Sequence, residues 1–268
     1  MELNGAHILV TGASRGIGAA MAAAFADAGG RVSVAARSTE ALNAVAKRIG
    51  GTPFTVDLLD ADAVDSLVPA VEAEAGPIDV LVNNAGLENL NWFHDEDVQR
   101  IRDVIRLNFE APLVLARAVL PGMLGRSKGH LVWTSSLAGS ASFPTLSVYA
   151  GTKAALNNTA ATIRLELRDT PVHTTIVAPG PVDTEMWDHL EQSSSSAAML
   201  KRLRLFQLIP KKSPELIARR TVAAVKADRR HVRTPRRLST QFWLAEAPRR
   251  INELVLAKVP LGPSSNGR

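Results

Sequence analysis

Short apolar runs alternate along the chain with longer segments in which apolar residues recur every three or four positions. The short runs are typical of buried β-strands, and the longer segments are typical of helices with one apolar face. The predicted strands are His7–Val10, Val32–Ala36, Pro53–Val56, Ile78–Val82, His130–Thr134, His173–Val177 and His231–Thr234. The predicted helices are Ile17–Ala28, Glu40–Ile49, Ala61–Ala75, Asp97–Met123, Val148–Leu167 and Glu215–Val225. This alternation predicts an α/β fold, a single doubly wound parallel sheet of about seven strands with helices on both faces.

Length and composition narrow the class of protein. The 268 residues suffice for one large domain, and no repeat or linker divides them, so we expect a single domain over residues 1–268. Cysteine is absent, which excludes disulfides, thiolate-bound metals and cysteine nucleophiles, and no metal site is expected. The N-terminus leads directly into the first strand without signal-peptide features, and no uninterrupted apolar run is long enough to span a bilayer. We therefore expect a cytoplasmic protein.

The C-terminal part of the chain is distinguished by its basic residues. The net charge is +5, and arginines gather between residues 201 and 250. Residues 236–268 form a basic extension whose apolar spacing, with Phe242 and Trp243 beside arginines, fits a helix that lies peripherally on an anionic membrane. The alternatives are a helix packed on the body or on a partner subunit, and a solvated basic face. Nucleic acid is not an expected partner, because no recognition motif accompanies the charge.

The first predicted strand ends in a glycine-rich turn, and a helix follows at once. The turn reads TGASRGIG over Thr11–Gly18, with the spacing G-x-x-x-G-x-G. Its glycines let the backbone approach a pyrophosphate, whose charge the N-terminus of the helix then stabilises. The motif predicts a dinucleotide site, with a plain tight turn as the alternative.

The end of the second predicted strand indicates which dinucleotide binds. An acidic residue at this position binds the ribose hydroxyls of NAD, whereas an arginine suits the 2′-phosphate of NADP. The strand closes on Ala36, Arg37 and Ser38 without an acid, and Arg15 in the glycine turn adds a second positive charge. NADP is the expected cofactor and NAD the alternative. The structural alternative is that Arg37 only begins the next helix in solvent.

A tyrosine–lysine pair follows a strand that ends in hydroxyl residues. Tyr149, the one tyrosine of the chain, precedes Lys153 by four residues, so a helix places both side chains on one face. Ser136 follows the strand, where doubly wound sheets place their ligand chemistry. Because a nearby ammonium, helped by an oxidised nicotinamide ring, favours phenolate, we expect the pKa of Tyr149 to be lowered below its usual value of about 10.

Taken in order, these segments resemble the short-chain dehydrogenase/reductase family over roughly Gly5 to Met186. The matching pieces are TGASRGIG (Thr11–Gly18), Asp57, NNAG (Asn83–Gly86), Asn108, Ser136, YAGTK (Tyr149–Lys153) and PGPVDT (Pro179–Thr184). The resemblance implies a Rossmann-type domain and an oxidoreductase that interconverts a carbonyl and an alcohol by hydride transfer. The Ala-Gly-Thr interior of YAGTK differs from the residues that are frequent at these positions in the family, but its tyrosine and lysine are in place.

The resemblance also implies a role for each matching residue. Tyr149 exchanges a proton with the substrate oxygen, Lys153 assists Tyr149 and bonds the nicotinamide ribose, and Ser136 hydrogen-bonds the same substrate oxygen. Asn108 positions a water that links Lys153 to solvent, and Asp57 contacts adenine unless it only caps a helix. The implied catalytic set is Ser136, Tyr149, Lys153 and Asn108. The implied cofactor-binding set is Gly12, Ser14, Arg15, Gly16, Ile17, Gly18, Arg37, Asp57, Leu58, Asn84, Ala85, Gly86, Tyr149, Lys153, Pro179, Gly180, Val182 and Thr184.

The segments that the resemblance places around the substrate are rich in apolar residues. Residues 185–212 would fold over the substrate as a lid, and further apolar residues follow NNAG. The expected pocket residues are Leu87, Leu90, Trp92, Phe93, Met186, Trp187, Met199, Leu200, Leu205 and Phe206. They favour a lipophilic ketone, secondary alcohol or 3-oxoacyl group as the substrate. An ordinary core or a subunit interface is the alternative for each of them.

Two other functions stay open at this point. A regulatory or scaffold protein of the same fold would bind the cofactor at a dormant site, and an epimerase or dehydratase would use the site for other chemistry. The complete implied catalytic set argues against the first, and the single-domain length argues against the second. The resemblance further implies a homo-oligomer, either a dimer or a tetramer.

Overall fold

In the computed structural model, which describes residues 1–192, 211–234, 247–248 and 251, the described residues form one parallel sheet. Its strands are β1 (His7–Thr11), β2 (Arg31–Ala36), β3 (Thr52–Thr55), β4 (Val80–Asn83), β5 (Gly129–Thr134), β6 (Val172–Ala178) and β7 (His231–Arg233). Their order across the sheet is β3-β2-β1-β4-β5-β6-β7, and every neighbouring pair is parallel. The predicted doubly wound sheet of seven strands is confirmed.

The helices lie close to their predicted positions. They are α1 (Gly16–Asp27), α2 (Thr39–Ile49), α3 (Ala61–Ala75), α4 (Val98–Ile105), α5 (Ala111–Gly125), α6 (Ser147–Glu166), α7 (Glu185–Gln192) and α8 (Pro214–Lys226). Short 3-10 turns occur at Phe93–Asp95 and Leu137–Gly139. The stretch predicted as one helix over Asp97–Met123 is divided into α4 and α5 by a π-helical turn, Arg106–Glu110. The apolar spacing of the sequence gave no sign of this turn.

The sheet separates two apolar cores, because side chains alternate between its faces. Along β1, Ile8 and Val10 belong to one core and Leu9 to the other. Helices α1, α2 and α8 cover the first core, and α3, α5 and α6 cover the second. Burial of both faces explains why the central strands read as continuous apolar runs in the sequence.

Within the described residues, the helical stretch Val98–Gly125 is long and apolar enough to cross a membrane by length and composition. Nearly half of its most apolar part is buried inside the fold, and Leu115, Val119 and Met123 pack in the second core. Helix α5 also contacts β4 and β5. The apolar character of this stretch is therefore explained by its packing against the sheet.

The strand order reverses between β1 and β4, which are neighbours in the sheet although they are not consecutive in the chain. Connections leave the carboxyl ends of these two strands in opposite directions, and a crevice opens between them. A cleft of about 1750 Å³ lies there, lined by residues that follow β1, β2, β4, β5 and β6.

The predicted lid and C-terminal extension are described only in part. Of the lid, 185–212, the structure describes α7, Lys211 and Lys212. The expected pocket residues Met199, Leu200, Leu205 and Phe206 lie outside the described residues, as do Phe242, Trp243 and nearly all of the extension 236–268. The single domain, the membrane contact and the homo-oligomer stay predictions.

Candidate active site

The turn between β1 and α1 brings the backbone close to the loop that follows β4. Gly12 has a φ of +63°, and a Cβ at this position would lie 2.7 Å from the Cα of Ala85. A Cβ on Gly18 would overlap the carbonyl oxygen of Gly12. Asn84 closes the turn, since its Nδ2 donates to the carbonyl oxygens of Thr11 and Gly12 at 3.1 and 3.3 Å. These two glycines are required by close packing of backbone on backbone.

Helix α1 begins at this turn without a side-chain cap. Arg15 occupies the N-cap position and makes no capping bond, and the first turn carries no acidic residue. The first N–H groups of a helix have no partner within the helix and carry its positive dipole end. An uncapped helix start beside a glycine turn, facing an open cleft, fits the pyrophosphate of a dinucleotide.

Basic side chains line the cleft from the glycine turn, from the end of β2 and from α2. Arg15, Arg37 and Arg48 all line it. The guanidinium of Arg37 lies 3.8 Å from the carboxylate of Asp57, with both side chains about half exposed. Asp57 does not cap a helix, because Asp60 holds that position in α3. The contribution of Arg48 was not predicted, because its place in the last turn of α2 carries no motif.

Arg15 also forms an ion pair across the cleft with Glu185, the first residue of α7. Both side chains are more than half exposed. Exposed ion pairs contribute little to stability, since water competes for both charges. Arg15 is therefore free to exchange this carboxylate for a phosphate.

Three of the four residues in the implied catalytic set meet at the carboxyl end of β5. The hydroxyl of Ser136 is near enough to the phenol of Tyr149 to affect its pKa by hydrogen bonding. The Nζ of Lys153 lies 5.7 Å from the centre of the Tyr149 ring and donates to the carbonyl oxygen of Thr134 at 2.8 Å. All three side chains line the cleft, although only 9% of Tyr149 and 4% of Lys153 is exposed.

Burial dominates the proton affinity of both groups. It raises the pKa of Tyr149 to about 12, against the smaller opposing effect of the Ser136 hydrogen bond, and the charge of Glu88 raises it further. Burial also lowers the pKa of Lys153 to about 8. Without a cofactor, loss of water therefore sets the pKa of Tyr149, and the expected lowering by Lys153 together with an oxidised nicotinamide ring stays a prediction. Tyr149 keeps its proton at neutral pH.

Asn108, the fourth residue of the implied catalytic set, lies in the π-helical turn and is fully buried. Its Oδ1 accepts from the N–H of Leu87 and its Nδ2 donates to the carbonyl oxygen of Leu87, both at 2.8 Å. Nδ2 also lies 3.2 Å from the hydroxyl of Thr152 in α6. Asn108 is not among the residues that line the cleft. It clamps the loop after β4, and its role in positioning water stays a prediction.

The remaining predicted site residues come together along the same cleft. They are Gly12, Ser14, Arg15, Gly16, Ile17, Gly18, Arg37, Asp57, Leu58, Asn84, Ala85, Gly86, Pro179, Gly180, Val182 and Thr184. Thr184 lies against the glycine turn, where its methyl group would be 3.3 Å from a Cβ on Gly16. The structure thus gathers the whole implied cofactor-binding set, and its contacts with a bound cofactor stay predictions.

The far end of the cleft, beyond Tyr149, is mostly apolar. Its apolar lining consists of Leu87, Leu90, Met186 and Trp187, which were predicted, and of Phe143 and Leu146, which were not. Trp92 and Phe93 were also expected in the pocket, and that expectation is wrong. They are 49% and 66% exposed and do not line the cleft. Trp92 and Phe93 lie at the start of the 3-10 turn Phe93–Asp95, in which no residue is buried.

Polar residues that the sequence did not single out complete this end of the cleft. The carboxylate of Glu88 lines it and lies 3.3 Å from Nδ1 of His189 in α7. The carbonyl oxygen of Glu88 accepts from Nε of Arg100 at 3.0 Å. Asn89 does not line the cleft; it is buried, and its Oδ1 accepts from the backbone N–H of Tyr149. None of these residues was predicted for the site, because their inward positions depend on contacts between distant segments.

Known proteins resemble this chain over the segments that form the cleft. The profile of a family described as short chain dehydrogenase matches residues 6–195. A fatty acyl-CoA reductase of Mycobacterium tuberculosis is 39% identical over 214 residues, covering 74% of this chain and 72% of that protein. The ketoacyl reductase HetN of a Nostoc species is 31% identical over 272 residues, covering 99% and 88%. The crystal structure of a short-chain dehydrogenase from Streptomyces avermitilis matches with a TM-score of 0.78 at 27% identity, covering 97% and 98%.

Proposed function

Since this chain belongs to the short-chain dehydrogenase/reductase family of NAD(P)-dependent oxidoreductases, we propose that it uses NADP(H) to interconvert the carbonyl and alcohol forms of a lipophilic small molecule. The observation that carries the proposal is the position of Tyr149. It stands protonated beside Ser136 at the junction between the dinucleotide end of the cleft and its apolar end.

Tyr149 supports the reductive direction. With a pKa of about 12, its phenol retains a proton that it donates to a carbonyl oxygen as that oxygen gains negative charge. The hydroxyl of Ser136 donates a hydrogen bond to the same oxygen and stabilises the developing charge. Lys153, whose pKa is about 8, is largely protonated at neutral pH, and its ammonium stabilises the phenolate left behind. A reduced nicotinamide, when bound, supplies the hydride that the carbonyl carbon receives.

The arginines beside β2 support NADP over NAD. Arg37 follows β2, Arg48 lies in the last turn of α2, and Arg15 adds a third guanidinium from the glycine turn; all three line the cleft, and no acidic residue closes β2 to hold the ribose hydroxyls. A 2′-phosphate would meet charge-assisted hydrogen bonds from guanidinium groups there, which are stronger than neutral ones.

The apolar end of the cleft supports a lipophilic substrate. Leu90, Phe143 and Trp187 offer apolar surface directly beyond the phenol. Two of the relatives are named for fatty acyl and ketoacyl substrates. A ketone or 3-oxoacyl group on an aliphatic chain is the substrate class that this lining favours.

The decisive experiment compares the native protein with Tyr149→Phe. NADPH oxidation is measured against a panel of aliphatic ketones and 3-oxoacyl thioesters, and cofactor affinity is measured separately. We expect turnover to fall about 10²- to 10⁴-fold, because the general acid is lost while the ring is kept, and the Kd for NADPH shows how much of any loss in kcat/KM comes from weaker cofactor binding. Undiminished turnover would refute the acid role. A native protein that binds NADPH but reduces none of the panel would favour the regulatory alternative.

The cofactor preference has its own test in Arg37→Ala. Loss of a charge-assisted hydrogen bond should reduce the ratio of kcat/KM with NADPH to kcat/KM with NADH by about 10- to 100-fold. Lys47→Ala is the matched control, since Lys47 lies on the exposed side of α2 outside the cleft lining. Equal ratios in the two variants would show that Arg37 does not recognise the 2′-phosphate.

A further inference from the structure

Helix α6, which carries Tyr149 and Lys153, begins without a cap of its own. The N-cap residue is Leu146, whose side chain has no hydrogen-bonding group. The first bond inside the helix runs from the N–H of Ala150 to the carbonyl oxygen of Leu146, at 2.7 Å. The N–H of Tyr149, at the third position of the helix, is one that a capping side chain normally satisfies.

Asn89 supplies the missing cap from a distant part of the chain. It is 1% exposed, and its Oδ1 accepts from the N–H of Tyr149 at 2.8 Å. Its Nδ2 donates to the carbonyl oxygen of Thr145 at 3.2 Å. Thr145 has a φ of +71°, a conformation that non-glycine residues rarely adopt. One buried amide therefore holds both the unusual turn before α6 and the backbone of Tyr149.

The loop that contributes Asn89 is itself held firmly. Asn108 clamps the preceding Leu87 in both directions, and Arg100 donates to the carbonyl oxygen of Glu88. Three consecutive residues of this loop are thus tied to α4, the π-helical turn and α6. The same loop follows Gly86, where a Cβ would lie 3.5 Å from Nζ of Lys153. Asn89 connects this clamped loop to the helix start that carries the phenol.

We propose that Asn89 is a positioning residue that fixes the phenol of Tyr149 relative to Ser136 by capping α6 across the fold. The inference rests on the proposed function, since it concerns the acid in that reaction. Without the amide, the first turn of α6 and the residue before it lose their shared anchor. A displacement of about 1 Å at a catalytic group lowers rates on the order of 10²-fold.

The test uses the fact that the chain contains one tyrosine. Ring-labelled tyrosine gives a single NMR signal, which reports the environment of Tyr149 without reference to turnover. For Asn89→Ala we expect a shifted and broadened signal, faster exchange of the Tyr149 amide hydrogen, and a kcat about 10- to 100-fold lower. The Kd for NADPH should be unchanged. Asn91→Ala, in the same loop but exposed, is the matched control and should behave as the native protein does.

Asn89→Asp gives a second measurement that does not depend on how well the alanine variant folds. A protonated Asp offers the same acceptor and donor as the amide, whereas an ionised Asp cannot donate to the carbonyl oxygen of Thr145. Turnover of Asn89→Asp relative to native should therefore fall as the pH rises through the pKa of the new carboxyl. A merely space-filling role for Asn89 predicts a ratio that does not depend on pH.

The outcomes separate the two proposals. A native-like tyrosine signal and native-like amide exchange in Asn89→Ala would overturn the positioning role, as would a pH-independent ratio for Asn89→Asp. If Tyr149→Phe retains full turnover, the acid role of Tyr149 fails instead, and if the native protein reduces none of the panel, the proposed function fails, whatever the tyrosine signal of the Asn89 variants shows.

Discussion

Strand β5 has buried titratable groups near both of its ends, and the two ends differ in what surrounds them. At its carboxyl end, the carbonyl oxygen of Thr134 holds Lys153 beside Tyr149, over the open cleft. At its amino end, His130 is fully buried and does not line the cleft. Burial, helped by the nearby His173, lowers the pKa of His130 to about 3. Desolvation thus shifts pKa values strongly in both regions, whether or not a substrate has access.

The hydrogen bonds of His130 show why its region serves stability alone. Its Nε2 lies 2.8 Å from the hydroxyl of Thr175, which donates its own hydrogen to the carbonyl oxygen of Arg229. Nε2 must therefore carry the hydrogen, and Nδ1 has no hydrogen-bond partner among the described residues. A second proton on this ring would be a buried charge without a partner. A shifted pKa indicates that a group is buried. A buried group becomes a candidate for catalysis only where it also lines the cleft, so that a substrate can reach it.

The largest effect is expected at the amino end of β5, where a fall in pH should lower the free energy of unfolding. The pKa of His130 is lower in the folded chain than its ordinary value of 6.5, so the unfolded chain binds the proton first. Stability is therefore lost as the pH falls from 6.5 towards about 3, at about 1.4 kcal/mol per pH unit, up to about 5 kcal/mol. Denaturant unfolding across this range should show a shallower loss for His130→Gln than for the native protein.

His94, which is largely exposed, provides the control for that measurement. His94→Gln should follow the native curve. Turnover per folded molecule at neutral pH should be the same in all three proteins. A large loss of turnover in His130→Gln would show that the amino end of β5 also contributes to activity, which contradicts the distinction between its two ends.

The second-largest effect is expected at the carboxyl end of β5, where replacing the buried lysine should raise stability and lower activity. The pKa of Lys153 falls from 10.5 to about 8 on burial, so its charge destabilises the folded protein at neutral pH by up to about 3 kcal/mol. That cost disappears as the pH rises from about 8 to 10.5. Lys153→Met keeps the volume without the charge, and we expect it to unfold at a higher denaturant concentration while its turnover falls about 10²-fold.

Lys47→Met tests whether these changes follow from burial, because Lys47 is exposed. It should leave both stability and turnover within error of the native values. If Lys153→Met is less stable than the native protein, the bond to Thr134 contributes more than the buried charge costs.

The smallest effect is expected from Gly151→Ala, between the tyrosine and the lysine. Gly151 is exposed in α6, and a Cβ there would meet no atom within 4 Å. Alanine is favoured over glycine inside a helix, so the melting temperature should rise by an amount that corresponds to about 0.5–1 kcal/mol. Turnover should be unchanged. A loss of activity here would mean that the site depends on flexibility of the helix and not only on particular side chains.

Features that depend on local order were predictable from the sequence. The strands, the glycine turn and the tyrosine–lysine spacing each depend on residues close together in the chain, and Gly12, Gly18, Tyr149 and Lys153 lie where those patterns place them. The parallel sheet then gathers the ends of its strands at one edge, which explains why the separate motifs meet.

Features that depend on contacts between distant segments were not predictable. The inward position of Asn89 follows from its bond to a residue sixty positions later in the chain. The raised pKa of Tyr149 results from burial by several elements, which the spacing to Lys153 does not reveal. Trp92 and Phe93 follow the NNAG loop as pocket residues would, but they lie exposed at the start of a 3-10 turn.

Because of the π-helical turn, the position of Asn108 depends on the exact number of residues between α4 and α5. A π-turn holds one residue more than the regular helix would, and each helical residue advances the chain by about 100° around its axis. Deleting one residue from Arg106–Glu110 would let the helix become regular, but it would also swing Asn108 away from Leu87 or force α5 to rotate on the sheet. We therefore expect a change of length in this segment to be more damaging than a substitution at its exposed position Glu110.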